Sequence, residues 1–268
     1  MNNYCIITDS GSDLTKELAQ KIDVTVLDLT VLVEGKEPQK DSSVDLKEFY
    51  SELRAQKGAT TSALNIDDFS SAFEAVLSEG KDILYLGFST GLSSTYSAGK
   101  VSAEEMAEKY PERKIYTVDT LAASMGQGLL VWYAANMQKE GKSIEEVRDF
   151  VEDNKLKLAH WFTVDDLMYL KRGGRISPTV AFVGNVLGIK PVLHMDNEGH
   201  LINMTKVRGR RTAVQALAQK YDELALDTKS GTLFISHGDC LADAEYLASI
   251  IKEKHGVGVE IITDVGPV

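Results

Sequence analysis

The sequence of 268 residues has few cysteines, few prolines and no long apolar run. Its two cysteines, Cys5 and Cys240, lie far apart along the chain, which favours reduced, buried thiols over a disulfide or a metal site. The five prolines form no proline-rich segment, and no disordered linker is predicted. No apolar run is long enough to span a bilayer, and the first residues lack the basic region of a signal peptide. These absences favour a cytoplasmic protein without an integral membrane span.

Negative charge is in excess overall, but it is unevenly distributed. The net charge is −11 at pH 7, which argues against general nucleic-acid binding. Residues 171–211 nevertheless carry eight basic and two acidic side chains, a local net charge of +6 that leaves −17 for the rest of the chain. A concentrated basic segment on an acidic protein indicates a local task, such as docking a partner.

Hydrophobic patterning predicts two domains, residues 1–157 and residues 158–268. In the first, apolar runs alternate with amphipathic segments, so an α/β domain with a mainly parallel sheet and helices on both faces is expected. In the second, the segments at 189–195 and 200–207 read as a β-hairpin among helices, and one of those helices is predicted to begin at Ser177. An α+β domain is therefore expected after residue 157.

Hydroxyl side chains crowd the segment Ser89–Ser97, which has seven of them in nine residues. The segment follows a predicted strand and precedes a predicted helix, and no carboxylate lies between Asp82 and Glu104. A loop of this kind aims N–H groups and hydroxyls at one point, which suits an anion. A second polar loop, Thr60–Asn65, has the same placement. The two loops are predicted to form two walls of one anion site.

The first loop also contains the sequence G-x-S-x-G at residues 87–91, so Ser89 is a candidate nucleophile. Two acid–histidine pairs have the chain order of a triad, namely Asp119 with His160 and Asp165 with His237. No oxyanion segment of the lipase type accompanies them. A serine esterase is therefore one alternative, and a regulator that binds another small carboxylate is a second.

Metal and dinucleotide sites are not predicted. The five histidines show no ligand spacing, and the paired carboxylates of Asp67-Asp68 and Asp165-Asp166 fall in first helical turns, where they complement the helix dipole. The glycines of Gly126-x-Gly128 lack the third glycine of a dinucleotide fingerprint and lie in an apolar helical segment. No metal ion and no cofactor are expected.

Six motifs in sequence order resemble those of the DegV family. They are Thr8–Leu14, Thr60–Ser62, Gly91–Tyr96, Leu170–Ser177, Ile189–Leu193 and Lys206–Arg210. The resemblance covers nearly the whole chain. Because the family includes the fatty-acid-binding subunit of bacterial fatty acid kinase, the resemblance implies a two-domain fold with a lipid tunnel between the domains.

The resemblance also implies a ligand and a set of residues that bind it. In the family, hydroxyl groups hold the carboxylate of a fatty acid, and the matching residues here are Thr61, Ser62, Ser93 and Ser94. The expected ligand is a fatty acid of roughly 14 to 18 carbons, such as palmitate, held mainly by burial of its apolar chain. No catalytic residue is implied for this chain. A separate ATP-dependent kinase subunit, related to dihydroxyacetone kinases, would phosphorylate the carboxylate as a step toward phospholipid synthesis.

The resemblance assigns the basic segment to docking of that kinase subunit. The candidate residues are Arg172, Arg175, Lys206, Arg208 and Arg210. The alternative is that these charges only complement helix ends and solvate a hairpin. The sequence ends at Val268, before the family's Gly-x-His-x-Gly-Pro-Gly segment, so none of the five histidines is assigned to a role at the carboxylate.

Overall fold

The computed structural model describes residues 3–176, 188–229, 231–256 and 259–267, which form two compact units. The first unit comprises the described residues of Met1–Leu156 and Val265–Val268, and the second comprises those of Lys157–Asp264. The helix predicted to begin at Ser177 lies outside the described residues.

A four-stranded parallel sheet forms the centre of the first unit. Its strands are β1 (Tyr4–Asp9), β2 (Val24–Leu27), β6 (Asp82–Gly87) and β7 (Ile115–Asp119), in the order β2-β1-β6-β7. Strand β1 is central, with Thr8 opposite Leu86 of β6. The predicted α/β class with a parallel sheet is confirmed. Because all four strands run in one direction, their carboxyl ends meet at one edge of the sheet.

Six described helices of the first unit lie between or after these strands in the sequence. They are α1 (Lys16–Ile22), α2 (Leu46–Arg54), α3 (Ile66–Ser78), α4 (Thr95–Lys109), α5 (Ser124–Lys139) and α6 (Ile144–Asn154). Capping boxes begin α3 at Asn65 and α6 at Ser143. In each box the cap side chain accepts a hydrogen bond from the N–H of the acid three residues later, and the side chain of that acid accepts one from the N–H of the cap residue.

A second, antiparallel sheet completes the first unit. Its strands are β3 (Thr30–Val33), β4 (Gln39–Lys40) and β5 (Ala59–Ser62), in the order β4-β3-β5. The prediction of a polar loop over Thr60–Asn65 was therefore wrong for its first three residues, which lie in an edge strand. Threonine is β-branched and suits a strand, and here it pairs with β3 instead of remaining in a loop.

Three aromatic rings form the centre of the core between the parallel sheet and helices α3 and α4. Tyr85 of β6 lies 4.9 Å from the ring of Phe69 and 6.2 Å from that of Phe73, and all three side chains are fully buried. Gly99 of α4 permits this packing, because a β-carbon at that position would lie 2.6 Å from the Tyr85 ring. Leu64, just before α3, and Tyr96, in α4, pack against the same cluster.

The second unit combines a hairpin sheet with a parallel pair of strands. Strands β8 (Trp161–Thr163), β9 (Ile189–Met195) and β10 (Leu201–Arg208) form an antiparallel sheet, and β11 (Thr232–His237) pairs in parallel with β12 (Val259–Asp264). Its described helices are α7 (Leu167–Arg172), α8 (Arg210–Leu224) and α9 (Leu241–His255). This mixture corresponds to the predicted α+β arrangement.

The last described residues return to the first unit, whereas the predicted domain of residues 158–268 placed them in the second. The Tyr50 hydroxyl donates to the Val265 carbonyl oxygen at 2.8 Å. The Gly266 N–H donates to Asp13 Oδ1 at 2.7 Å. These two hydrogen bonds explain why the chain after Asp264 belongs with the first unit.

No helix in the described part of the chain is long and apolar enough to cross a bilayer. Cys5 and Cys240 are free thiols. Burial raises the pKa of both, so each is a weaker nucleophile at neutral pH than an exposed cysteine.

Candidate functional site

The hydroxyl-rich segment begins at the carboxyl end of β6, as the sequence predicted. Ser89 is fully buried, and its N–H donates to the Ala122 carbonyl at 3.0 Å. Its carbonyl oxygen accepts from the N–H groups of Leu92 and Ser93, and its Oγ accepts from the Gly91 N–H. The Ser89 side chain therefore builds the turn that presents the following hydroxyls.

The environment of Ser89 disfavours the esterase alternative. Asp119 accepts from the Thr90 hydroxyl at 2.5 Å and from the Leu121 N–H at 3.1 Å, so its oxygens are engaged within its own unit. Burial lowers the pKa of His160 to about 4, and its Nδ1 is buried without a hydrogen-bond partner. A general base needs a pKa near the working pH and an acid that orients it. His160 has neither.

The second predicted triad pair is also absent from the described chain. His237 Nδ1 lies 3.2 Å from Asp264 at the end of the neighbouring strand. Asp165 instead pairs with Lys190, whose Nζ lies 2.8 Å from its carboxylate. Asp165 is thus engaged by Lys190, and His237 lies beside Asp264 instead of Asp165.

Ser93 and Ser94 lie where the segment turns into α4. Ser93 Oγ accepts from the Thr95 N–H at 3.2 Å and lies 2.9 Å from Thr95 Oγ1. Ser94 is the N-cap residue, is exposed, and makes no side-chain capping bond. The first turn of a 15-residue helix follows it, and this end of a helix favours a negative group.

Thr61 and Ser62 occupy neighbouring positions of the edge strand β5. Because side chains alternate across a strand, the two point to opposite faces of the small sheet. Thr61 lies opposite the buried Val31 and is partly buried, whereas Ser62 lies opposite Thr30 and is exposed. The pair therefore does not present its two hydroxyls from one face, as two adjacent residues of a loop could.

Both predicted hydroxyl segments are anchored to one core. Leu64, two residues after Ser62, and Tyr96, two residues after Ser94, both pack against the aromatic cluster of Tyr85 and Phe69. The Tyr96 ring stacks on Tyr85 with centroids 6.1 Å apart. A single packed cluster thus fixes the positions of the two segments.

Sequence reasoning missed a buried carboxylate beneath the first segment. Asp9, the last residue of β1, is fully buried, and Oδ2 accepts from the Tyr85 hydroxyl at 2.8 Å and from the Phe88 N–H at 2.9 Å. Burial raises its pKa, and its hydrogen bonds oppose that rise. The signal available in the sequence was an acid directly after the apolar strand Tyr4–Thr8.

The basic candidates all lie in the second unit, whereas the hydroxyl candidates lie in the first. Arg172, Arg175 and Arg208 are exposed, and Lys206 is partly buried on the edge strand β10. Arg210 is less exposed, and its Nε donates to Asp243 at 2.7 Å and its Nη2 to the sulfur of Cys240. Because it is partly buried, Arg210 is a weaker docking candidate than the exposed arginines.

The described residues include no group of three histidine, cysteine, aspartate or glutamate side chains arranged to hold a metal ion. The chemistry of the hydroxyl segments is therefore that of neutral donors around a helix N-terminus. Neutral donors at a helix N-terminus suit a singly charged anion.

Comparison by sequence relates nearly the whole chain to known proteins. The family model described as "Uncharacterised protein, DegV family" matches residues 3–268. The DegV domain-containing protein CPE0026 of Clostridium perfringens is 44% identical over 99% of this chain and 92% of its own length.

Comparison by structure gives the same picture. Hypothetical protein TM841 from Thermotoga maritima, described as having a fatty acid binding function, superposes with a TM-score of 0.85 at 28% identity and covers 100% of this chain and 94% of its own. DegV from Bacillus subtilis, described as a fatty acid binding protein, has a TM-score of 0.85 at 27% identity with the same coverage.

Proposed function

Because this chain belongs to the DegV family, we propose that it binds a long-chain fatty acid and holds the carboxylate at the hydroxyl segments of the first unit. The membership predicted from the six motifs is confirmed. Two solved relatives of similar fold are described as fatty acid binding proteins, which supports the same ligand class here.

The observation that carries the proposal is the acid-free hydroxyl segment at the start of α4. Ser93 and Ser94 lie at the N-terminus of a long helix, and the Ser94 side chain makes no hydrogen bond that caps the helix. A carboxylate carries one negative charge and accepts several hydrogen bonds, so neutral hydroxyls and a helix N-terminus match its chemistry. A doubly charged phosphate would more often recruit lysine or arginine.

Burial of the acyl chain would supply most of the affinity. Each methylene removed from water contributes about 0.8 kcal/mol, so some fourteen methylenes contribute roughly 11 kcal/mol before ordering costs. A hydrogen bond to the carboxylate contributes about 1 kcal/mol net. The hydroxyls therefore set orientation, and the tail sets affinity.

Replacing Ser93 by alanine is expected to weaken binding of palmitate about fivefold, because one donor to the carboxylate is lost. Titration calorimetry on delipidated protein measures the change. Ser51→Ala is the matched control, since this exposed serine lies in α2, outside both hydroxyl segments. Failure of the wild-type protein to bind palmitate would refute the proposed function. Equal affinities for both variants would refute the role of Ser93.

We further propose that the protein presents the bound carboxylate to a separate kinase subunit. The sequence has no P-loop and no kinase motif, and the described residues hold no three-ligand metal cluster, so phosphoryl transfer would need another protein. The exposed arginines of the second unit offer the positive surface on which an acidic face of that subunit could dock.

Reversing one of these charges tests the docking surface. Arg172→Glu is expected to lower the affinity for the kinase subunit about tenfold and to leave palmitate binding unchanged, because Arg172 is exposed and lies outside the segments proposed to hold the carboxylate. Surface plasmon resonance gives the first value and calorimetry the second. Lys229→Glu, an exposed charge reversal in the same unit but outside the basic segment, serves as the control. Unchanged docking by Arg172→Glu would exclude this surface.

A further inference from the structure

The buried carboxylate of Asp9 is satisfied entirely by neutral donors. Oδ2 accepts from Tyr85 and Phe88, and Oδ1 accepts from the Gly11 N–H at 3.2 Å and from Gln127 Nε2 at 3.3 Å. No lysine, arginine or histidine forms an ion pair with it among the described residues. A buried charge is costly unless hydrogen bonds replace its hydration, and here four donors from separate parts of the chain do so.

Two of these donors lead directly to the hydroxyl segment. The Phe88 N–H belongs to the residue just before Ser89, so the bond fixes the point at which the chain leaves β6. The Tyr85 ring stacks on Tyr96, which follows Ser94 by two residues. Gly87 allows this stack, because a β-carbon there would lie 2.7 Å from Tyr85 and 2.8 Å from Tyr96. Asp9 thus contacts the start of the segment directly and is linked to its other end through the stack of Tyr85 on Tyr96.

Pairing of β1 with β6 does not require this carboxylate. The two strands are already joined in parallel register from Tyr4 opposite Asp82 to Thr8 opposite Leu86. An apolar side chain at residue 9 would leave this strand pairing in place but would deprive the Tyr85 hydroxyl and the Phe88 N–H of their acceptor. The carboxylate oxygens of Asp9 instead accept hydrogen bonds just beyond the last β1–β6 pair, Thr8 with Leu86, where the chain leaves β6 and the hydroxyl segment begins.

We propose that Asp9 is a positioning residue, whose carboxylate holds the segment from Phe88 to Ser94 in the geometry that binds a fatty-acid carboxylate. This proposal rests on the proposed function. Asp9 is buried beneath the segment, so it acts through the backbone of Phe88 and the ring of Tyr85 and does not touch the ligand itself.

The test compares palmitate with 1-hexadecanol, which has the same chain length and no carboxylate. Asp9→Ala is expected to weaken palmitate binding about tenfold and to change hexadecanol binding less than about twofold, since only the head-group geometry is lost. Asp9→Asn is expected to restore only part of the affinity, to about threefold below wild type for palmitate, because its amide oxygen still accepts from Phe88 while its amide nitrogen cannot accept from Gly11 or Gln127. This rescue separates a directed acceptor from mere filling of space.

Val147→Ala provides the control for lost stability. Val147 is fully buried in α6 and belongs to none of the groups bonded to Asp9, so its variant is expected to bind both probes like wild type. Equal losses for palmitate and hexadecanol in Asp9→Ala, or no loss for either, would overturn the proposal. If Asp9→Ala does not fold, Asp9→Asn decides alone: a loss confined to palmitate supports the proposal, and wild-type affinity refutes it. Absence of palmitate binding by the wild-type protein would refute the proposed function instead.

Discussion

Phe69→Ala is expected to lower the free energy of unfolding by about 4 kcal/mol. Phe69 is fully buried, and its ring lies 4.9 Å from Tyr85 and 5.6 Å from Phe73. Truncation removes the apolar surface of the ring and leaves a cavity that two fixed aromatic neighbours cannot fill, so both the transfer and the cavity terms apply. Urea denaturation followed by circular dichroism measures the change.

The control for this prediction is Leu226→Ala, because Leu226 is 91% exposed and its truncation should change stability by less than about 0.5 kcal/mol. A loss below about 1 kcal/mol for Phe69→Ala would show that the cluster repacks. Since Leu64 and Tyr96 pack on the same cluster, a true cavity should also loosen both hydroxyl segments.

Asp41→Asn is expected to raise the free energy of unfolding by about 2 kcal/mol near neutral pH. Burial raises the pKa of Asp41, a hydrogen bond from Ser10 opposes the rise and repulsion by Asp28 adds to it, so that the pKa is about 6. Its Oδ1 is buried without a hydrogen-bond partner. The carboxylate is therefore charged at neutral pH in a place that disfavours charge, and a neutral amide of the same shape removes that cost.

The sign of the pH dependence follows from the direction of this shift. The folded state holds a proton on Asp41 up to a pKa of about 6, whereas the unfolded chain releases it near 3.8. Stability from this group is thus complete below the lower value and is lost as pH rises through the higher one. The difference in stability between Asp41→Asn and wild type should therefore grow from about pH 4 to about pH 7.

Urea denaturation at several pH values across that range tests the prediction. Glu37→Gln removes an exposed acid from the same unit and serves as the control for the loss of a negative charge. A constant difference between Asp41→Asn and wild type at every pH would contradict the assigned titration.

Local patterns predicted the framework of the first unit because local interactions determine it. The capping box from Ser143 to Glu146 was readable from four residues, and the structure forms both of its bonds. The parallel sheet followed from apolar runs separated by helical segments, since parallel strands need such crossovers. A local pattern, a hydroxyl-rich loop followed by a helical segment, likewise predicted that Ser93 and Ser94 lie at the start of a helix.

The remainder of the site depends on contacts that no local pattern contains. The donors to Asp9 come from residues up to 118 positions away, and nothing near Asp9 in sequence reveals them. The hydroxyls of Thr61 and Ser62 were taken for neighbours in a loop, but pairing with β3 sends them to opposite faces. Arg210 was counted as a surface charge, and its partner Asp243 lies 33 positions further on.

Because the chain belongs to the first unit again from Val265, the second unit is an insertion within the sequence of the first. The hydrogen bond from Gly266 to Asp13 closes over 253 positions, and that from Tyr50 to Val265 over 215. During synthesis on the ribosome, the parallel sheet is complete once Asp119 has emerged, yet these two bonds must wait until the whole inserted unit has followed. The first unit can therefore form all of its hydrogen bonds only after the second unit has been translated.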